Sequence, residues 1–193
     1  MSRPLIIFDL GGVLADLGTP PVDMGLAIGA EEFWDLWLSS TSVRSFENGH
    51  IEESEFLQRF SVELGLEESP EQFRRRFLKW RLVIYPGVAR TISALRSDYD
   101  TALLSNTNPI HWNMVCSQDG FERLFDHVFL SFDIGESKPE RAVFEHVLDR
   151  VDQPPAGIRF LDDSDANVAA ARELGISAMQ AYGPEGISLV LPD

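Results

Sequence analysis

Four separated segments of the chain carry side chains that could handle a phosphoryl group. Asp9 closes the apolar run "LIIF" at 5–8 and is followed at once by Leu10, Gly11 and Gly12; Ser105 and Asn106 close a second apolar run, "TALL" at 101–104; Lys138 stands before Pro139; Asp162 and Asp163 close a third run, "IRFL" at 158–161. Three carboxylates with no cysteine or histidine beside them favour a hard cation that prefers oxygen ligands, with Mg²⁺ the usual choice. A fixed ammonium at Lys138, the Ser105 hydroxyl and the backbone N–H of Asn106 would then neutralise non-bridging phosphoryl oxygens, which is most of what phosphoryl transfer demands of a protein. Without β-carbons at 11 and 12, the backbone N–H groups that follow Asp9, beginning at Leu10, can approach an anion closely. Asp9 itself can attack phosphorus and form an aspartyl-phosphate that water cleaves.

Something must carry these groups to one place. Short apolar runs such as 5–8 and 158–161 read as strands buried on both faces, the kind found in parallel sheets. Helical patterns alternate with them over 88–96, 139–151 (with Val143, Phe144, Val147, Leu148 and Val151 inward) and 165–174, and "HVFL" at 127–130 and "ISAMQ" at 176–180 add strands. Such alternation predicts an α/β, Rossmann-like core, a parallel sheet flanked by helices. Ligands bind such sheets at the carboxyl ends of the strands, where all four segments fall. Each segment alone also reads as ordinary local structure: a turn after Asp9, helix caps at Asn106 and Asp162, a solvated lysine at 138. Their occurrence in order, each at a strand end or helix start, sets them apart.

Between 16 and 84 the pattern is almost wholly helical. Phe33, Trp34, Trp37 and Leu38 form one stripe and Phe56, Leu57, Phe60 and Leu64 another, and Ser69, Pro70 and Gln72 spell a capping box with proline at the first helical position. These stripes read as helix-packing surface. Lys plus Arg is 16 and Asp plus Glu is 31, a formal charge of −15, which argues against nucleic acid and anionic membrane partners and leaves a small-molecule substrate. The single Cys116 allows no intrachain disulfide, Asp9 interrupts the first apolar run too early for a signal peptide, and no stretch approaches a membrane span. The expectation is a soluble, cytoplasmic protein, monomer or homodimer.

"FDLGGVL", "LLSNTN", "SKPE" and "FLDDSDAN" resemble the four motifs of the haloacid dehalogenase-like hydrolases, along the whole chain, and most nearly the subgroup that holds bacterial α-glucose-1-phosphate phosphatase and the N-terminal phosphatase domain of soluble epoxide hydrolase. The resemblance implies a core formed by 1–15 and 85–193, with 16–84 inserted as an all-helical cap. It implies Mg²⁺ as cofactor, Asp9 as nucleophile, Ser105 and Lys138 as stabilisers of phosphate and intermediate, and Asp163 as metal ligand with Asp162 beside it. The Gly11 backbone carbonyl would be a further metal ligand. The chain departs from the pattern at Gly11 as well: most phosphatases of the family carry a second aspartate there, as acid for the leaving group and base for water. A good leaving group, such as the anomeric oxygen of a sugar 1-phosphate, suffers least from that loss. His111, Glu47 and His50 are candidates to replace the missing acid. The expected activity is hydrolysis of a small phosphorylated metabolite. A metal-independent 2-haloacid dehalogenase and an impaired binding or regulatory protein on the same scaffold are the alternatives; the adjacent Asp162–Asp163 pair speaks against the dehalogenase.

Overall fold

Every second residue of the central strands meets a different set of helices, and this alternation builds the molecule. The structure, a computed structural model, describes residues 3–118 and 120–190. In chain order it comprises β1 (Leu5–Phe8), β2 (Ala15–Asp16), α1 (Pro20–Met24), α2 (Ala30–Ser39), α3 (Thr41–Glu47), α4 (Glu53–Glu63), α5 (Pro70–Phe77), β3 (Val83–Ile84), α6 (Val88–Leu95), β4 (Asp100–Ser105), α7 (Pro109–Cys116), β5 (His127–Leu130), α8 (Ser131–Ile134), α9 (Arg141–Leu148), β6 (Ile158–Asp162), α10 (Asp165–Glu173), β7 (Ser177–Gln180) and α11 (Gly183–Val190). Five strands form one sheet in the order β5-β4-β1-β6-β7, and each adjacent pair is parallel. Ile6, Phe8, Leu103 and Leu161 pack with Val88, Ile92, Val115 and Ile187 of α6, α7 and α11. Leu5, Ile7, Leu104 and Phe160 pack on the opposite face with Val143, Phe144, Val147 and Val168 of α9 and α10. The expected α/β core with helices on both faces is thus the fold observed.

The chain runs from β1 outward to β4 and β5, then crosses back to β6 on the other side of β1. That reversal beside β1 is a topological switch point, where the loops splay apart and leave a crevice.

Helices α1 to α5 build a separate aromatic cluster of Phe33, Trp37, Phe46, Phe56, Phe60, Phe73, Phe77 and Trp80, joined by Ile110 from the start of α7. Ser69 caps α5 as a full capping box with Gln72, as its sequence predicts. Two local expectations change. Leu38, counted with the buried stripe of α2, is 72% exposed, because the cluster covers only the Phe33–Trp37 side of that helix. The "LGTPP" stretch is more than a break: Ala15 and Asp16 pair antiparallel with Ile84 and Val83, so both connections to the helical segment run through one two-stranded ribbon. The Trp80 indole N–H donates to the Leu17 carbonyl at 2.7 Å and closes the same neck. Among the described residues no helix is long and apolar enough to cross a membrane.

Candidate active site

β1 delivers Asp9 to the middle of the rim. Its backbone N–H still donates to Leu161 at 2.8 Å, so the ladder with β6 persists to this residue and the side chain emerges at the carboxyl edge of the sheet. After it the chain coils tightly: the N–H groups of Leu14 and Ala15 both reach the Leu10 carbonyl, and Gly12 donates to Ala15. Leu10 is fully buried, so only its backbone can serve the site. The two glycines differ. Gly12 has φ +71° and a β-carbon there would lie 2.3 Å from Asp163 Oδ2, whereas Gly11 lies outside the left-handed region and its β-carbon would meet only the Leu17 side chain, at 3.0 Å. Glycine is thus required by conformation at 12 and merely accommodated at 11.

Lys138 is the hub. Its buried ammonium donates to Asp9 Oδ1 at 2.6 Å, to Asp162 Oδ2 at 2.7 Å and to the Leu104 carbonyl at 2.9 Å. All three of its protons are engaged, so in this arrangement it fixes Asp9 and offers no free donor to an anion. Burial works to lower the Lys138 pKa, but attraction to Asp9 and Asp162 outweighs it and holds the ammonium above its ordinary range. Burial pushes the Asp9 carboxyl up to about 7; Lys138 opposes that rise while Asp162 and Asp163 add to it. Asp163, raised by burial and then by Asp162, lies partly open beside them.

Asp9, Asp162 and Asp163 each offer a carboxylate oxygen within 4.8 Å of the others. Three acids share one ammonium, a charge deficit that a hard divalent cation on oxygen ligands fits. The three are not equivalent, however. Asp162 is wholly buried; its Oδ1 accepts from the Ser164 N–H and from Asn167 Nδ2, both at 2.9 Å, and its Oδ2 accepts from Lys138. It anchors Lys138 from inside the same carboxylate group. Asp9, Asp163 and Gly11 line the open cavity and form the better oxygen set.

Asn106 has a further duty beside its backbone N–H. Its side chain clamps the Lys138 backbone at both ends, accepting from Lys138 N–H and donating to Lys138 C=O, each at 2.8 Å. Ser105 is buried at the end of β4 and its hydroxyl reaches only the Asn106 carbonyl, at 3.5 Å. Ser131 holds the next residue, its hydroxyl accepting from Thr107 N–H at 3.0 Å and donating to Thr107 C=O at 3.1 Å.

Above this rim lies a cavity of about 430 Å³. Its floor is Asp9, Gly11, Asn106, Lys138 and Asp163, and its far wall comes from Trp34, Trp37, Leu38, Glu47 and Trp80 of the helical segment. Of the three candidates for the missing acid, Glu47 and His111 line the cavity, while His50 is exposed and does not. Burial pushes Glu47 up to about 7, against the pull of Arg44, and pushes His111 down to about 3. Thr107, Ser164 and Asn167 also line the cavity, and the sequence reading does not single them out. For Asn167 a signal is present in "FLDDSDAN", whose last residue reaches back from α10 to Asp162.

A haloacid dehalogenase-like hydrolase family model matches residues 4–175. The D-ribitol-5-phosphate phosphatase of Bacteroides thetaiotaomicron is 26% identical over 186 residues, covering 91% of this chain and 90% of that protein. A sesquiterpene phosphatase of Aspergillus oryzae is 28% identical over 180 residues, covering 88% and 85%. Among solved structures, a haloacid dehalogenase family enzyme of Bacteroides thetaiotaomicron in complex with magnesium and inorganic phosphate superposes with a TM-score of 0.82 at 29% identity, over 99% of this chain and 100% of that one.

Proposed function

The chain belongs to the haloacid dehalogenase-like hydrolase family, and from that premise we propose that it is a Mg²⁺-dependent phosphatase of small phosphorylated metabolites that works through an aspartyl-phosphate on Asp9. The observation that carries the reading is the Asp9–Lys138–Asp162 chain of short bonds beside Asp163, which presents a fixed carboxylate to the cavity floor. Lys138 holds Oδ1, so the other oxygen of Asp9 is the attacking one. It forms a P–O bond as the ester P–O bond breaks, and the leaving oxygen takes up a proton. Water then adds to phosphorus, the bond to Asp9 breaks, and orthophosphate departs. Asp9, Asp163 and the Gly11 carbonyl would hold Mg²⁺, which when bound supplies positive charge against the phosphoryl oxygens. Ser105 and the N–H groups of Leu10 and Asn106, at the ends of β1 and β4, would supply neutral donors to the same phosphoryl group. Residues 16–84 serve as the cap: their aromatic wall excludes water and shapes the leaving-group pocket.

Gly11 cannot supply the usual acid. A sugar 1-phosphate suits a site without one, whereas the relative named for ribitol 5-phosphate acts on an alkyl ester, a poorer leaving group. Glu47 reconciles the two. It lines the cavity, and burial pushes its carboxyl up to about 7, so it keeps a proton to give well above the ordinary carboxylate range. The test is phosphate release from a panel of sugar phosphates, polyol phosphates and p-nitrophenyl phosphate, in Mg²⁺ and in EDTA. Release should collapse on chelation and return with Mg²⁺. Full turnover in EDTA, or halide release from a 2-haloacid without metal, would reject the proposal in favour of the dehalogenase reading.

A further inference from the structure

His111 is held in a way that none of the steps above uses. It sits in the first turn of α7, where Asn108 caps the helix: Asn108 Oδ1 accepts from the His111 backbone N–H at 3.0 Å. That bond fixes which end of the Asn108 amide is oxygen. The Nδ2 end therefore faces His111 Nδ1, at 3.1 Å, and must donate to it. A ring nitrogen that accepts carries no proton, so the neutral imidazole bears its hydrogen on Nε2. His111 is 4% exposed, and Nε2 has no hydrogen-bond partner among the described residues. Aromatic rings pack against the imidazole. It stacks on Phe77 at 4.9 Å between centroids and meets the edge of Trp80 at 4.5 Å, both from the helical segment. The residue lines the same cavity as Asp9.

A buried donor without an acceptor is rare in folded proteins, because it forfeits the bond that water gave it. The cavity that His111 lines is the source for the missing acceptor, which would reach the fully enclosed Nε2 as the surrounding rings give way. We propose that His111 is a specificity-determining residue whose Nε2–H donates to a hydroxyl oxygen of the leaving alcohol, so that the substrates are phosphates of polyhydroxylated carbon chains, sugars or polyols, and not of hydrocarbon alcohols. The inference rests on the phosphatase reading and names its substrate class. It also removes His111 from the candidates for the missing acid: Nδ1 is already occupied, and a second proton would place a charge among Phe77, Trp37 and Trp80. An apolar leaving group would satisfy the tryptophan walls and leave Nε2–H sealed without an acceptor. A polyol can lay its C–H face on the indoles and turn one hydroxyl to the imidazole, which uses both kinds of surface.

The experiment compares kcat/KM for pentitol 5-phosphate with that for n-pentyl phosphate, which differ only in the hydroxyls, and uses p-nitrophenyl phosphate as a measure of the phosphatase chemistry. Wild-type enzyme should prefer the pentitol ester. His111→Phe keeps an aromatic ring and loses the donor, and should cut that preference about tenfold, the value of one neutral hydrogen bond, mainly through KM. His111→Gln places an amide N–H near the same position and should restore much of it. A readout that needs no variant is the imidazole Nε2–H proton resonance of His111, which should shift when free pentitol is added and stay put with pentanol. An enzyme that hydrolyses p-nitrophenyl phosphate but does not distinguish the two five-carbon esters, or a preference that survives His111→Phe, would overturn the subsite while leaving the phosphatase reading intact. No phosphate release from any of the three compounds would overturn the phosphatase reading and the subsite together.

Discussion

Adjacent glycines at the first motif have opposite tolerances, and this separates their roles. A side chain at Gly12 would meet Asp163 Oδ2 at 2.3 Å on a backbone with φ +71°. Gly12→Ala should therefore displace Asp163 and reduce both folding stability and Mg²⁺ affinity, measured by thermal denaturation with and without the metal. A side chain at Gly11 must move only one methyl of Leu17, at 3.0 Å. Gly11→Asp should fold, and because it places an acid beside the nucleophile it should restore turnover of alkyl phosphates in a Glu47→Gln background, where the cavity's own acid is gone. Acid–base assistance is typically worth about 10²–10⁴ in rate. Glu47→Gln alone should depress the alkyl rates selectively and spare aryl and anomeric esters; unchanged alkyl rates would show that another group donates the proton. Lys138 poses a different question. Lys138→Met leaves Asp9 and Asp162 buried and facing one another without the shared ammonium. Breaking such an arrangement from one side costs about 3–5 kcal/mol, so the variant should show a large drop in denaturant midpoint along with lost activity. Asp9→Asn keeps the side-chain shape and should retain a cooperative fold while losing hydrolysis by several orders of magnitude.

Among the elements, the decisive contact is between the end of α3 and the start of α8. Gly49 follows α3 with φ +66°, and its β-carbon would lie 2.3 Å from the Phe132 carbonyl oxygen. The helical segment thus rests on the core at a point where only hydrogen fits, two residues after Glu47. Gly49→Ala should lift that contact and move Glu47, raising KM and slowing alkyl esters while leaving the sheet intact, as judged by kinetics beside far-ultraviolet circular dichroism. None of this is legible in "FENGHI", since the partner lies far along the chain, at Phe132. The longer elements are legible, because hydrophobic period and caps act locally: the β1, β5 and β6 runs and the capping box of α5 stand where their residues imply. The β2–β3 ribbon escapes because two-residue strands carry no period, and α11 because Gly183, Pro184 and Gly186 argue against a helix that burial of Ile187 secures. The four motif segments are readable as a site. The division of labour inside it is not, because it turns on which oxygen each N–H meets: Asp162 and Asp163 are neighbours in the chain, yet one accepts from Lys138, Ser164 and Asn167 and the other lies partly open.

At the scale of the whole molecule, the cavity exists only where core and helical segment meet, and closing it leaves two titratable groups of opposite habit in one place. Their effects on stability have opposite signs over the same pH range. His111 falls from an ordinary value of 6.5 to about 3 through burial. Between those values the unfolded chain binds a proton that the folded protein refuses, so this group's contribution is intact above pH 6.5 and is lost as pH falls toward 3. Glu47 rises from 4.5 to about 7, also through burial. Between those values the folded protein binds a proton that the unfolded chain has released, so this group favours folding at low pH, and that advantage is lost as pH rises through 7. A tenfold change in proton affinity corresponds to about 1.4 kcal/mol, although for the partly exposed Glu47 solvent screening reduces the effect. Comparing each variant with wild type cancels every group they share, including the carboxylates on the rim. Relative to wild type, His111→Gln should gain stability as pH is lowered from 6.5 to 4.5, and Glu47→Gln should gain stability as pH is raised over the same interval and on to 7. Urea denaturation of the three metal-free proteins at pH 4.5, 5.5, 6.5 and 7.5 measures both slopes. If the two difference curves share a sign, or both are flat, the cavity does not bury these groups and the helical segment does not close over Asp9 in solution.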